Sequence, residues 1–185
     1  MKKMTCHTVA LFVGLGVALL LSPACRKTED TQSTGPSAST TLPASLFLDA
    51  SPEGVTSIAS LKASAQEGDA VVVKVVVGGR KQTFVANRAV MTVIDAALDN
   101  PCTAEDDHCP TPWDYCCTPP EQRLPNMASV QILGPDARAL TADLNTVAEL
   151  KPLSVLVIQG TVGPRPDDTT LTINATGIYV ASRPG

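Results

Sequence analysis

The sequence contains very little histidine, and this scarcity limits the enzymatic mechanisms open to it. Of the two histidines, His7 lies in the apolar N-terminal segment, which leaves only His108 for the rest of the chain. A Ser-His-Asp arrangement needs an imidazole held beside a nucleophile, and His108 lies among cysteines instead. The paired carboxylates Asp106-Asp107 and Asp167-Asp168 are typical of solvated loops. We therefore expect a protein that is not an enzyme and that has no cofactor.

Aromatic side chains make up only 3% of the sequence, and basic side chains are fewer than acidic ones. Because Lys2 and Lys3 lie in the N-terminal segment, the rest of the chain carries 12 basic and 18 acidic side chains, a net charge of −6. Single-stranded nucleic acid is bound in cationic grooves lined with aromatic platforms. The composition therefore argues against a nucleic-acid partner, and also against attachment to lipid headgroups through a basic patch.

No apolar run in the sequence reaches the roughly 20 residues that a membrane-spanning helix needs. The run from Val9 to Leu21 follows Lys2 and Lys3 and precedes Ser22-Pro23-Ala24-Cys25. A basic start, a short apolar stretch and a small residue before the cut are the parts of a secretory signal, which we predict for residues 1–24. An uncleaved membrane anchor is the alternative, which the shortness of the run disfavours.

The segment from Leu21 to Cys25 resembles the lipobox of bacterial lipoproteins. The resemblance implies cleavage before Cys25, acylation of that cysteine, and lasting attachment to a membrane through several acyl chains. In this family the residue after the cysteine influences the choice of membrane. Arg26, which is not aspartate, implies the periplasmic face of the outer membrane rather than the inner one. Ordinary cleavage, giving a free periplasmic protein, is the alternative.

Residues 25–45 are predicted to be a disordered linker between the lipid and a folded domain. The stretch from Thr28 to Ser45 consists mostly of Thr, Ser, Pro, Gly and Ala, which bury too little apolar surface to offset the entropy of ordering the chain. The remainder, residues 46–182, has the size of a single domain.

Apolar runs rich in β-branched residues, with period-two alternation, predict five strands in this domain. They are Ala70 to Val77, Phe84-Val85 leading into Ala89 to Asp95, Ala128 to Leu133, Ser154 to Val162, and Thr170 to Val180. In the fifth strand the apolar positions change from odd (Leu171, Ile173) to even (Ile178, Val180). Because side chains alternate strictly along a strand, this change predicts a β-bulge at Thr176-Gly177.

A helix is predicted between the third and fourth strands, because apolar residues recur there at helical spacing up to Pro152. They are Ala137, Leu140, Leu144, Val147 and Ala148. Three strands, a helix and two strands is the order of the OB-fold, a five-stranded Greek-key barrel. We therefore predict a mainly-β, OB-like barrel with that helix and with a Cys-rich insertion, residues 96–127, between strands two and three. A β-sandwich with an inserted helix is the alternative.

Many OB-folds bind ligands on the face of strands two and three and on the loops after strands one and four. Those loops carry Arg80, Lys81 and Arg165, which are ligand candidates or else solvated cations. The segment Thr-Pro-Trp-Asp-Tyr-Cys-Cys, residues 111–117, resembles one shared by exported planctomycete-type lipoproteins, a group that implies no activity. Within it, Trp113 and Tyr115 are predicted either to cap the core or to contact a small ligand or an envelope protein.

Four cysteines lie within sixteen residues in a C-x6-C-x6-C-C pattern: Cys102, Cys109, Cys116 and Cys117. In an exported protein such a set most simply forms two disulfides that staple a long loop. Each would stabilise the domain by about 2 kcal/mol or more.

The alternative for these cysteines is a zinc site, to which His108, Asp106, Asp107 and Asp114 offer further ligands. Against it, the C-x2-C pattern is missing, and the side chains of adjacent cysteines are expected to diverge. A thiol–disulfide relay is weaker still. Two functions therefore remain open: a non-enzymatic, membrane-tethered binding or scaffolding module of the cell envelope, and a metal-binding or redox domain centred on the cysteines.

Overall fold

The computed structural model describes residues 41–104 and 108–184. The predicted signal, Cys25 and residues 25–40 of the predicted linker lie outside the described residues, as do Asp106 and Asp107. The described chain contains five strands, which match the five predicted ones to within a few residues. They are β1 (Ala70–Val77), β2 (Val90–Asp95), β3 (Met127–Gln131), β4 (Val155–Val162) and β5 (Thr172–Ser182).

Helices are few in the described residues. The two α-helices are α1 (Ile58–Ser64), before β1, and α2 (Pro120–Arg123), before β3. The 3-10 turns are Ala44–Leu46, Pro101–Thr103, Pro112–Asp114, Leu124–Asn126 and Leu144–Thr146. No helix in this part of the chain is long and apolar enough to cross a membrane.

The strands form a closed barrel in the order β1-β2-β3-β5-β4, and β4 pairs with β1 to complete the ring. Neighbouring strands are antiparallel, except for β3 and β5, which run parallel. This is the Greek-key order of OB-type barrels. The predicted mainly-β, five-stranded barrel is therefore confirmed, with the Cys-rich segment between β2 and β3.

The barrel interior is filled by alternate side chains of every strand. In β1, Val71, Val73, Val75 and Val77 are buried, while Lys74 is exposed on the outer face. Burying one such valine stabilises the fold by about 1.5–3 kcal/mol. Inward residues of the other strands, such as Ile158 and Ile173, complete a single core.

The bulge predicted in the last strand is confirmed. Gln159 of β4 pairs with Gly177, but its neighbour Gly160 pairs with Ala175, so Thr176 is the extra residue in β5. The extra residue brings the side chains on either side of it into the same core. A Cβ added at Gly177 would lie 2.8 Å from side-chain atoms of Leu48 and Gln159, so these two side chains would have to shift to admit a larger residue.

The helix predicted between the third and fourth strands is wrong, apart from the single 3-10 turn at Leu144–Thr146. After β3 the chain folds back on itself, and the N–H of Leu140 donates to the carbonyl of Ile132 at 2.9 Å. Ala137 has a φ of 58° in this reversal, and a residue in that region cannot continue a right-handed helix. The leucines at helical spacing instead pack onto the core from an irregular loop.

Candidate functional site

A groove of about 670 Å³ lies over the outer face of β2 and β3. At its base Thr92 and Ser129 are cross-strand partners. Three further elements form its walls: α1, the chain from Leu124 to Met127, and the loop between β4 and β5. The remaining lining residues are Ala59, Lys62, Ala63, Arg80, Pro125, Ala128, Asp168, Thr169, Thr170 and Leu171.

The first wall is α1, which the sequence analysis did not predict. Its start is capped by Ser57, whose hydroxyl oxygen accepts a hydrogen bond from the N–H of Ser60 at 3.2 Å. Such a cap stabilises a helix by about 1 kcal/mol. Ile58 and Leu61 are buried against the barrel, which leaves the Ala59 side of the helix facing the groove. The sequence does contain signs of this helix, namely the capping serine and the apolar pair Ile58 and Leu61 at i, i+3. Seven residues are too few, however, for the helical periodicity of apolar residues to be recognised.

A buried carboxylate fixes where α1 begins. Oδ2 of Asp95, at the end of β2, accepts a hydrogen bond from the N–H of Ile58 at 2.9 Å, and Oδ1 accepts one from Ala97 at 3.0 Å. A buried polar group without partners would cost about 1–3 kcal/mol. These two bonds satisfy the carboxylate and tie the helix to the strand that forms the groove base.

Arg165, predicted as a ligand candidate, makes four hydrogen bonds to main-chain carbonyls. Its guanidinium donates to Leu61, Lys62 and Ala65 at the end of α1 and to Asp168 in its own loop, at 2.6–3.1 Å. The carbonyls at the end of a helix lack partners within the helix. The side chain therefore holds two walls of the groove together.

Lys62 links α1 to the opposite wall, because its ammonium donates to the carbonyl of Leu124 at 2.8 Å. Burial and the nearby charge of Arg165 lower the pKa of Lys62, and Asp167 opposes this shift. Of the other two predicted ligand candidates, Arg80 is exposed and lines the groove, whereas Lys81 lines adjoining clefts.

The loop between β4 and β5 is shaped by Asp167. Its Oδ1 accepts hydrogen bonds from the N–H groups of Thr169 and Thr170 at 2.9 and 2.7 Å, and both threonine hydroxyls also donate to this carboxylate. These bonds lower the pKa of Asp167. The turn that results places Asp168 and the two threonines along the groove.

Beside the groove, the predicted cysteine cluster is assembled around Cys116. Its sulfur lies 3.3 Å from that of Cys109, 3.5 Å from that of Cys102 and 3.7 Å from that of Cys117. A disulfide bond is about 2.05 Å long, so the predicted disulfides are not formed at these separations. Cys102 is buried and Cys116 is exposed, so the cluster extends from the interior to the surface.

Local backbone geometry brings the cysteines together. Asn100 Oδ1 accepts from the N–H of Cys102, and its Nδ2 donates to the carbonyl of Pro112, which joins the two halves of the segment. The N–H of Thr118 donates to the carbonyl of Tyr115, so Cys116 and Cys117 occupy the central positions of a β-turn. The expectation that these two side chains diverge is wrong, because the turn brings their sulfurs to 3.7 Å.

Hydrogen bonding among the thiols shifts the pKa values of two of them in opposite directions. Burial raises the pKa of Cys102, but hydrogen bonds with Cys117, Cys116 and Cys109 outweigh it and lower that pKa. Hydrogen bonds with Cys109 and Cys102 raise the pKa of Cys116. The hydrogen bonds among the thiols thus lower the pKa of Cys102 and raise that of its neighbour Cys116.

Tyr115 belongs to the core, which decides between the two interpretations offered for it. The residue is 2% exposed, has a φ of 55° and packs with Ile94 and Met127. Burial, with the nearby charges of Asp95 and Cys102, raises the pKa of Tyr115 to about 12. Trp113 is half-buried, and its Nε1 donates to the carbonyl of Lys81 at 3.2 Å.

Two groups of described side chains are close enough to share one metal ion. They are Cys102, Cys116 and Cys117, and Cys109, Asp114 and Cys116. His108 belongs to neither group. The predicted thiol ligands are therefore divided between two groups that share Cys116, and Asp114 joins one of them. The other predicted oxygen donors, Asp106 and Asp107, lie outside the described residues.

Comparison of the chain with known protein families, curated proteins and solved structures finds no match.

Proposed function

We propose that this protein is a non-enzymatic binding module of the cell envelope, held to a membrane by lipid on Cys25, and that it binds a small amphipathic ligand in the groove over β2 and β3. The observation that carries the proposal is the groove itself, about 670 Å³ in volume. Sites for small molecules are concave, largely apolar and typically 300–1,000 Å³ in volume, with a few polar groups that converge on the ligand.

The lining indicates the chemistry of the ligand. Ala63 and Leu124 offer apolar surface, since both are exposed and the side chain of Leu124 is 52% exposed. Lys62 and Arg80 bring two cations to the same groove although the mature chain is acidic. An apolar body carrying an anionic group fits this combination of surfaces.

The membrane tether would place this groove at the periplasmic face. Replacing Cys25 with Ser removes the acylation site, so the variant should leave the membrane fraction and appear in the soluble envelope fraction. Retention of the variant in the membrane at the level of the unchanged protein would contradict the lipoprotein assignment.

A dye titration tests the groove. Anilinonaphthalene sulfonate combines an apolar body with one anionic group, and its fluorescence rises in apolar surroundings. We expect saturable binding of one dye per chain. Ala63→Phe, which fills the groove from the exposed side of α1, should weaken binding at least tenfold, and Arg80→Ala should weaken it less.

Ala148→Phe is the matched control, because Ala148 is equally exposed and lies outside the groove lining. It should bind the dye as the unchanged protein does. Equal losses in both phenylalanine variants, or no loss in Ala63→Phe, would contradict the proposal. If the protein bound an envelope protein and not the dye, and if Ala63→Phe abolished that binding, the partner would be a macromolecule and the small-ligand assignment would be overturned.

A further inference from the structure

We infer that Cys102, Cys109, Cys116 and Cys117 form a tetrathiolate site for a single zinc ion. This site is separate from the groove and its existence does not depend on the proposed function. The inference rests on the positions of the sulfur atoms and on the backbone that holds them.

The three sulfur separations around Cys116 are close to the edges of a zinc tetrahedron. Zinc–sulfur bonds of about 2.3 Å in a tetrahedron place the sulfurs about 3.8 Å apart. The three measured distances from the Cys116 sulfur are 3.3, 3.5 and 3.7 Å. These values lie much closer to the tetrahedral edge than to a disulfide bond. The sulfurs of Cys102, Cys116 and Cys117 lie within 4.8 Å of one another, whereas the sulfur of Cys109 meets this limit with Cys116 but not with all three, so its side chain must shift inward to complete the tetrahedron.

The backbone arranges hydrogen bonds to and around the sulfurs. The N–H of Cys117 donates to the sulfur of Cys102 at 3.3 Å, an interaction that stabilises a thiolate. The N–H of Cys116 donates to Oδ1 of Asp114 at 2.9 Å, while Oδ2 accepts from the hydroxyl of Thr111. Asp114 is thus held beside the ligands as an outer partner, in the position from which such groups orient metal ligands.

The donor set selects the metal. Four thiolates in a tetrahedral arrangement are characteristic of zinc, whereas carboxylate and carbonyl oxygens suit magnesium or calcium. Binding is acid–base chemistry: the four thiols lose their protons to solvent as four zinc–sulfur bonds form, and no electrons are transferred. In an oxidising compartment the bound ion would also keep the sulfurs from pairing as disulfides.

The test begins with the unchanged mature protein recovered from the periplasm. We expect one zinc per chain by elemental analysis and no reaction with a thiol probe until a chelator is added, after which four thiols react. Cobalt added to the chelated protein should give the intense absorption of tetrahedral thiolate coordination. A metal-free protein whose mass rises by four protons on reduction would show two disulfides and overturn the inference.

Two variants complete the experiment. Cys109→Ser should reduce zinc affinity at least a hundredfold and weaken the cobalt–thiolate absorption. His108→Ala, which alters the neighbouring residue, should leave both unchanged, because His108 belongs to neither cluster of potential ligands among the described residues. Loss of zinc in His108→Ala, with retention in Cys109→Ser, would contradict the four-thiolate assignment even if both variants fold normally.

Discussion

The main-chain N–H of Gly79 donates a hydrogen bond of 2.7 Å to the carbonyl oxygen of Trp113. This bond joins the loop after β1 to the cysteine segment between β2 and β3. The indole of Trp113 adds a second bond, to the carbonyl of Lys81. Arg80, which lines the groove, lies between these two attachment points, so the cysteine segment positions one of the groove's cations.

Gly78→Ala should separate the cysteine segment from the barrel. The added Cβ would overlap the carbonyl oxygen of Trp113, which is backbone and cannot move aside. Overpacking of this kind costs about 1–3 kcal/mol. We expect a loss of that size in the free energy of unfolding, with a shifted emission of Trp113, the only tryptophan in the sequence.

Gly163→Ala is the control for this experiment, because its added Cβ would first meet a side-chain oxygen, that of Asn174, at 3.3 Å rather than overlap backbone. Gly163→Ala should lower the free energy of unfolding by less than Gly78→Ala does, and it should leave the tryptophan emission unchanged. Equal unfolding free energies for Gly78→Ala and the unchanged protein would show that the two loops are not in the close contact described.

Arg165→Met should loosen two walls of the groove at once. The substitution keeps the aliphatic length of the side chain but removes all four hydrogen bonds to main-chain carbonyls. Because bonds from a charged donor each contribute about 1.5–3 kcal/mol, we expect a loss of about 2 kcal/mol or more in the free energy of unfolding, and weaker dye binding.

Arg165→Lys should recover little of that loss, since a single ammonium cannot reproduce the fork of guanidinium donors. Arg88→Met provides the control, because Arg88 is exposed and lies outside the groove lining. Chemical denaturation of Arg165→Met, Arg165→Lys and Arg88→Met measures the free energy of unfolding of each variant for this comparison. A stable Arg165→Met variant would mean that Arg165 is a solvated loop cation, the other interpretation of its sequence position.

The barrel was predictable from the sequence because its strands carry a strong, repeated signal. Val71 to Val77 alternate between core and exterior, and the change of pattern around Gly177 located the bulge at Thr176-Gly177, where the structure has it. The failed helix shows the limit of the same method. Leu140 and Leu144 have helical spacing, yet Ala137 adopts a positive φ that no residue pattern indicates. In irregular loops, apolar residues contact the core at whatever spacing the chain path dictates.

Asp167 should make the loop between β4 and β5 sensitive to acid. The hydrogen bonds from Thr169 and Thr170 lower the pKa of its carboxyl below the ordinary value of about 3.9. A carboxyl whose pKa is lowered by folding contributes stability above its unfolded pKa and loses it as the pH falls through its folded pKa. The stabilisation should therefore be complete near neutrality and disappear below about pH 4.

Asp167→Asn isolates this effect. The difference in unfolding free energy between the variant and the unchanged protein should be present at neutral pH and shrink as the pH is lowered through that range. Asp168→Asn removes the neighbouring charge and serves as the control, because the hydrogen bonds from Thr169 and Thr170 go to the carboxylate of Asp167 and not to that of Asp168. A difference that stays constant across the range would contradict the role assigned to the Asp167 carboxylate.

The candidate site was only partly predictable, for reasons of chain geometry. The sequence placed Arg80 and Arg165 in the correct loops, but only the folded chain distinguishes the exposed cation from the one that binds carbonyls. For the cysteines, residue spacing favoured disulfides and could not reveal the β-turn that brings the sulfurs of Cys116 and Cys117 to 3.7 Å. Contacts made across loops depend on backbone angles that residue spacing does not encode.

Zinc should strengthen ligand binding in the groove. If the ion fixes the cysteine segment, its removal frees Trp113 and with it the loop that carries Arg80. Coupling between two sites typically changes affinity by about fivefold or more. Dye titrations with and without chelator should differ by at least that factor. Gly78→Ala should abolish the difference while still binding zinc, and equal affinities in the two titrations of the unchanged protein would refute the coupling.

The most direct test of the binding module is to map where a ligand touches the barrel. Isotope-labelled mature domain titrated with anilinonaphthalene sulfonate should show its largest amide shift changes at Ala63, Ser129 and Thr170, which lie in one wall, the base and a second wall of the groove. Changes centred instead on Gln82 and Asn145, which line a separate cleft, or spread without a centre, would contradict the assignment of the groove as the binding site.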